Sequence, residues 1–124
     1  MPIDKSMNIL IVDDYKTMLR IIRNLLKQIE FNNVEEASDG AEALGKLRAA
    51  PYDLLLTDLS MPRMNGTALA AAAREANLRL PIIMLTGFGE MLLEDGEKPA
   101  GVNLLIVKPV THQKLAAAIA RLAA

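Results

Sequence analysis

The sequence predicts an α/β fold built as three layers, helices on both faces of a parallel sheet. Two observations carry this. Short apolar runs recur along the chain, and four of the five are continuously apolar rather than alternating. Such runs suit strands buried on both faces. Stretches with the apolar spacing of helices lie between them, so strand and helix alternate.

The first strand is Ile9-Leu10-Ile11-Val12. Met18, Ile21, Ile22, Leu25, Leu26 and Ile29 then follow the i, i+3, i+4, i+7 spacing of one buried helix face. The run around Val34 is weak and flanked by polar residues, which predicts an edge strand. Ala41, Leu44 and Leu47 repeat the helical spacing less strongly. Leu54-Leu55-Leu56 is the third strand, and Leu69, Ala72, Ala73 and Ala76 give a small-residue helix face. Ile82-Ile83-Met84-Leu85 is the fourth strand. Only a short helix is expected over 90–95, because Gly87, Gly89, Gly96 and Pro99 punctuate that stretch. Leu104-Leu105-Ile106-Val107 is the fifth strand. Leu115, Ala118, Ile119 and Leu122 form the last helical stripe, with Thr111 placed to cap it. Parallel strands joined by right-handed crossovers then make a (βα)5, flavodoxin-like sandwich. The expected strand order is 2-1-3-4-5, with a ligand crevice beyond the strand ends where the order reverses.

Composition narrows the chemistry. The 124 residues suit a single domain, expected over 1–124. Fourteen Lys plus Arg against fifteen Asp plus Glu leave a net charge of −1, which gives no support for nucleic acid as a partner. There is no cysteine, so thiol catalysis and Cys-based zinc sites are excluded, and one histidine cannot build a multi-His metal site. No apolar run approaches the roughly 20 residues of a membrane span, and the N-terminus lacks a signal pattern. A cytoplasmic location without membrane attachment is the expectation.

The residues at the expected strand ends then define a site. Asp13-Asp14 follow the first strand, Asp58 ends the third, Thr86 the fourth, and Lys108-Pro109 follow the fifth. Three carboxylates in one crevice repel one another unless a cation or proton joins them. Oxygen ligands suit a hard ion such as Mg2+. A lysine beside a metal makes sense if an anion arrives with the metal. Mg2+, an ammonium and a hydroxyl around an aspartate are the parts needed for phosphoryl transfer to that aspartate.

With these residues in place, the sequence resembles the receiver domain of two-component response regulators over roughly residues 8–122. The motifs are Ile11-Val12-Asp13-Asp14, the stretch from Leu56-Thr57-Asp58 through Met61-Pro62 to Asn65-Gly66, Leu85-Thr86-Gly87, and Val107-Lys108-Pro109. Each is weak alone, but their order on the expected elements is specific. Asn8 to Gly40 is similar to single-domain CheY-like chemotaxis receivers; Gly87 onward looks more like receivers attached to hybrid sensor kinases.

The resemblance implies that Asp58 is the phosphoacceptor, supplied by a histidine kinase or histidine phosphotransfer protein. It implies that Asp14 binds Mg2+ directly, Asp13 largely through water, and that Asp58 and the backbone carbonyl of Ser60 complete the protein ligands. Lys108 would contact phosphoryl oxygens, and Thr86 would couple the phosphoryl group to the output surface. The Lys108–Pro109 peptide would be cis, and Gly66 would suit a turn into the following helix. Leu105 stands where the family often has Tyr or Phe, so a rotating aromatic switch is not expected. Phe88 and Ser60 fall where the family flanks the path of attacking water. A bulky Phe88 would shield the aspartyl phosphate, and Phe88→Ala would then dephosphorylate faster.

Simpler roles compete. Asp14 suits a helix cap near Tyr15, Asp58 a turn before Pro62, and Lys108 a solvated strand end. The combination of acids, Thr and Lys favours the site. Asp53, Glu35, Glu36 and His112 read as solvated residues. The expected function is a signalling switch acting through an unidentified protein target, as a monomer or weak dimer, with no DNA-binding domain following. It is not expected to be an enzyme beyond gaining and losing its own phosphoryl group. Three alternatives compete with it. A pseudo-receiver would dock without phosphorylation. An aspartyl-phosphate phosphatase would want an acid where Ser60 stands. A flavin-binding protein would want a phosphate-cradling loop where the acidic Asp13-Asp14-Tyr15-Lys16-Thr17 stands.

Overall fold

In the computed structural model, residues 4–59, 65–76, 79–87 and 101–123 are described. The elements are β1 (Ile9–Val12), α1 (Lys16–Gln28), β2 (Val34–Ala37), α2 (Gly40–Ala49), β3 (Leu54–Asp58), α3 (Gly66–Ala76), β4 (Ile82–Thr86), β5 (Leu104–Val107) and α4 (His112–Ala123). The short helix expected over 90–95 lies outside the described residues.

The five strands form one parallel sheet in the order β2-β1-β3-β4-β5. Alternate residues of each strand point to opposite faces. Ile9, Ile11, Leu54, Leu56, Ile83, Leu85 and Ile106 face α1 and α4. Leu10, Val12, Leu55, Ile82 and Met84 face α2 and α3. Both faces are therefore dry, and this explains why the central strands read as unbroken apolar runs. β2 is half-polar because it sits at the sheet edge, where Glu35 is exposed.

Three local expectations are corrected. The buried stripe of α1 runs through Leu19, Ile22 and Leu26, with Met18, Leu25 and Ile29 at its margin. Ile21, expected in that stripe, is 42% exposed. The buried arc is rotated toward Leu19, which leaves Ile21 at the opposite, exposed margin. Glu36 and Asp53, read as solvated charges, are accessible to solvent but also have partners. Glu36 pairs with Arg23 at 2.7 Å, and Asp53 accepts from the Asn8 N–H at 2.8 Å. Thr111 does cap the last helix, its Oγ1 accepting from Lys114 N at 3.1 Å. His112 opens that helix half-buried rather than on its solvent side. No helix among the described residues is long and apolar enough to cross a membrane.

Candidate functional site at the strand ends

A parallel sheet delivers every strand's carboxyl end to one edge. Register then brings particular residues together. Val12 lies beside Thr57, so Asp13 follows alongside Asp58. Asp58 lies beside Leu85, and Thr86 beside Val107. The next residue, Lys108, is fixed to β4 by its N–H, which donates to the Thr86 carbonyl at 2.7 Å. Acids from β1 and β3, a hydroxyl from β4 and an ammonium beyond β5 therefore converge.

Asp13, Asp58 and Thr86 are all buried, while Asp14 is exposed. Each of Asp13, Asp14 and Asp58 offers a carboxylate oxygen, and these oxygens lie within 4.8 Å of one another. Lys108 Nζ is 2.7 Å from Asp58 Oδ1. One oxygen of Asp13, Oδ1, accepts from the Tyr15 N–H at 2.9 Å. Its other oxygen, Oδ2, is buried with no hydrogen-bond partner among the described residues. The Thr86 hydroxyl is in the same condition. Such groups are costly to bury and mark places where a ligand completes the bonding.

Burial pushes the Asp13 carboxyl up to about 6. The Tyr15 N–H opposes this, the Asp58 charge adds to it, Lys108 opposes and Asp14 adds. A divalent cation would relieve the repulsion and supply the missing partner of Asp13 Oδ2. The donor set is all oxygen, which fits Mg2+.

Local structure accounts for the placement of the acids. Tyr15 is the N-cap of α1 but makes no side-chain cap bond, and Asp14 does not cap either; Asp13 holds the entry to the helix through Tyr15 N. Gly66 donates to the Leu59 carbonyl at 2.8 Å, and a Cβ on Gly66 would collide with the Asp58 carbonyl oxygen. Gly66 opens α3 without a positive φ, so close approach to the Asp58 backbone, not a turn conformation, requires glycine there. The Lys108–Pro109 peptide is cis. Leu105 is half-buried on the α2 and α3 side of β5. Ser60 and Phe88 lie outside the described residues.

Residues 9–120 match the family model described as the response regulator receiver domain. The chain belongs to this receiver family. It is 44% identical over 117 residues to the chemotaxis protein CheY-3 of Vibrio cholerae, covering 91% of this chain and 88% of that protein. It is 45% identical over 113 residues to the chemotaxis protein CheY of Pseudomonas aeruginosa, covering 88% and 90%. Among solved structures it is similar to the response regulator TrrA of Thermotoga maritima in complex with Mg2+-BeF. That match has a TM-score of 0.83 and 25% identity and covers 94% of this chain and 98% of that one. The receiver is thus CheY-like, and its acidic cluster lies at the strand ends where β1 and β3 adjoin.

Proposed function

We propose that this receiver is a phosphorylatable switch in a His–Asp relay, with Asp58 as the phosphoacceptor and Mg2+ as the required ion. The observation that carries the reading is Lys108 Nζ held 2.7 Å from Asp58 Oδ1, beside a cluster of three carboxylates. Acids alone would serve many divalent cations. An ammonium among them suits an anion that arrives with the metal.

Asp13, Asp14 and Asp58 would hold the ion, joined by the Ser60 carbonyl. When bound, Mg2+ neutralises charge on the phosphoryl oxygens and on the acids. A carboxylate oxygen of Asp58 attacks phosphorus in line. The P–N bond of the donor phosphohistidine breaks, its electron pair leaves with the imidazole nitrogen, and that nitrogen takes up a proton. Lys108 shifts its ammonium to a phosphoryl oxygen. Thr86 donates its hydroxyl to another, which gives that buried group a partner and pulls on the end of β4. The chain is proposed to turn over no external substrate beyond its own phosphoryl group, and its output is a changed protein-binding surface. TrrA, bound to Mg2+-BeF, supports the reading by its likeness in fold.

The phosphodonor is proposed to dock on the rim formed by α1. Lys16, Arg20 and Arg23 line a groove of about 480 Å3 there together with Glu36 and Glu42, and Tyr15, just before α1, is exposed. Charge reversal at Lys16 or Arg20 is expected to slow transfer from the protein donor and to spare acetyl phosphate. Equal loss with both donors would reject this rim. The phosphoacceptor itself is tested by intact mass after incubation with Mg2+ and acetyl phosphate. One phosphoryl adduct is expected on wild type, none after chelation and none on Asp58→Asn. No adduct from either a small-molecule or a protein donor would mean a receiver that docks without phosphorylation.

A further inference from the structure

Lys108 holds its ammonium 2.7 Å from Asp58 Oδ1, yet it stands one residue beyond β5, at the edge of the sheet. Its N–H faces β4, where it donates to the Thr86 carbonyl. Alternation along a strand therefore turns the preceding carbonyl, that of Val107, away from β4. The next carbonyl but one belongs to Pro109, which has no N–H with which to pin this segment.

One side chain takes both carbonyls. Lys114 Nζ accepts nothing and donates to Val107 O at 2.9 Å and to Pro109 O at 2.9 Å, so its two bonds straddle Lys108. Lys114 is itself firmly based. Its N–H donates to Thr111 Oγ1 at 3.1 Å, and the neighbouring Leu115 is fully buried, its N–H bonded to Thr111 O at 3.0 Å. The first turn of α4 is thus strapped to the backbone on either side of Lys108.

We propose that Lys114 is a positioning residue for Lys108: its ammonium fixes the 107–109 backbone so that the Lys108 side chain reaches Asp58. The role rests on the reading of Asp58 as phosphoacceptor. Lys114→Met keeps the length of the side chain and removes the donors, whereas Lys114→Arg keeps the donors. With saturating acetyl phosphate, the initial rate of Asp58 phosphorylation is expected to fall about three- to tenfold in Lys114→Met and to recover to within about twofold of wild type in Lys114→Arg. Mg2+ affinity by calorimetry is expected not to fall in either, because Lys114 touches no carboxylate of the cluster and a looser Lys108 competes less with the ion. Independently of phosphorylation, the NMR cross-peak between Lys108 Hε and Asp58 Hβ in metal-free protein is expected to weaken in Lys114→Met. A wild-type rate with an unchanged cross-peak in Lys114→Met would overturn the proposal. So would a rate loss that tracks the melting temperature and is not rescued by arginine. If wild type itself takes no phosphoryl group, the phosphoacceptor reading fails, and the cross-peak alone decides whether Lys114 positions Lys108.

Discussion

The two ends of the sheet treat polar groups in opposite ways. At the amino end they are tied off. Arg74 donates to Leu80 O at 2.6 Å, Gly101 O at 2.6 Å and Asn103 Oδ1 at 3.1 Å. Asn103 Oδ1 also accepts from Ile82 N at 2.9 Å, and Asp53 accepts from Asn8 N. At the carboxyl end Asp13 Oδ2 and the Thr86 hydroxyl are buried without a hydrogen bond among the described residues. The amino end uses its hydrogen bonds to hold α3, β4 and β5 together, and the carboxyl end leaves bonding capacity unused among the described residues. Side chains at one end should therefore govern stability, and those at the other should govern binding and chemistry.

Substitutions can break that division. The largest effect is expected from Asp58→Asn, which should abolish phosphoryl incorporation, as intact mass would show, while leaving the far-ultraviolet spectrum unchanged. Next is Asp13→Asn. Calorimetry should find Mg2+ affinity reduced about tenfold or more, because one of the three carboxylate charges facing the ion is lost. The metal-free variant should be no less stable than wild type at pH 7, since a buried carboxylate with an unmet oxygen is gone. Arg74→Ala should do the reverse. Loss of charged donors to three acceptors should cost about 2–3 kcal/mol in urea unfolding, with Mg2+ affinity unchanged. A fall in Mg2+ affinity there would dissolve the division between the two ends.

The pH dependence sharpens the same contrast. Asp13 binds its proton more tightly in the folded state, at about 6 against 3.8. Between those values the folded state holds more protons, so this group's contribution to metal-free stability falls as pH rises from about 4 to about 6. Glu42 works the other way: the Ser38 N–H and hydroxyl lower its pKa, so its contribution is lost as pH falls below 4.5. The difference in stability between wild type and Asp13→Asn isolates the contribution of Asp13. Protons also compete with the metal, so Mg2+ affinity should weaken as pH drops from 7 to 5. The smallest effect is expected from Thr86→Val. Removing an unpartnered buried hydroxyl should stabilise the unphosphorylated domain by up to about 1 kcal/mol in thermal unfolding.

Much of this was legible because a parallel sheet converts sequence position into spatial position. Four unbroken apolar runs located the central strands, and the residues following them, Asp13, Asp58, Thr86 and Lys108, had to share one edge. Long-range pairings were not legible. Nothing local to Arg74 announces bonds to Gly101 and Asn103, and nothing near Asn8 points to Asp53. Apolar spacing fixes helix rotation only approximately, because Leu19 and Ile21 are both apolar and flank the same stripe, and only Leu19 is buried. The reason for Gly66 was also hidden, because its constraint comes from the Asp58 backbone rather than from its own φ. The unequal burial of Asp13 and Asp14 follows from where β1 stops and α1 begins, which two adjacent identical residues cannot reveal.

The central claim is that Asp58 is the group that accepts phosphoryl. It is tested most directly by treating the Mg2+- and acetyl-phosphate-incubated domain with borohydride, which reduces an acyl phosphate to an alcohol, and mapping the product by peptide mass. The expected result is one homoserine, at position 58, absent when Mg2+ is chelated. Reduction at any other aspartate, or at none despite a phosphoryl adduct, would contradict the claim.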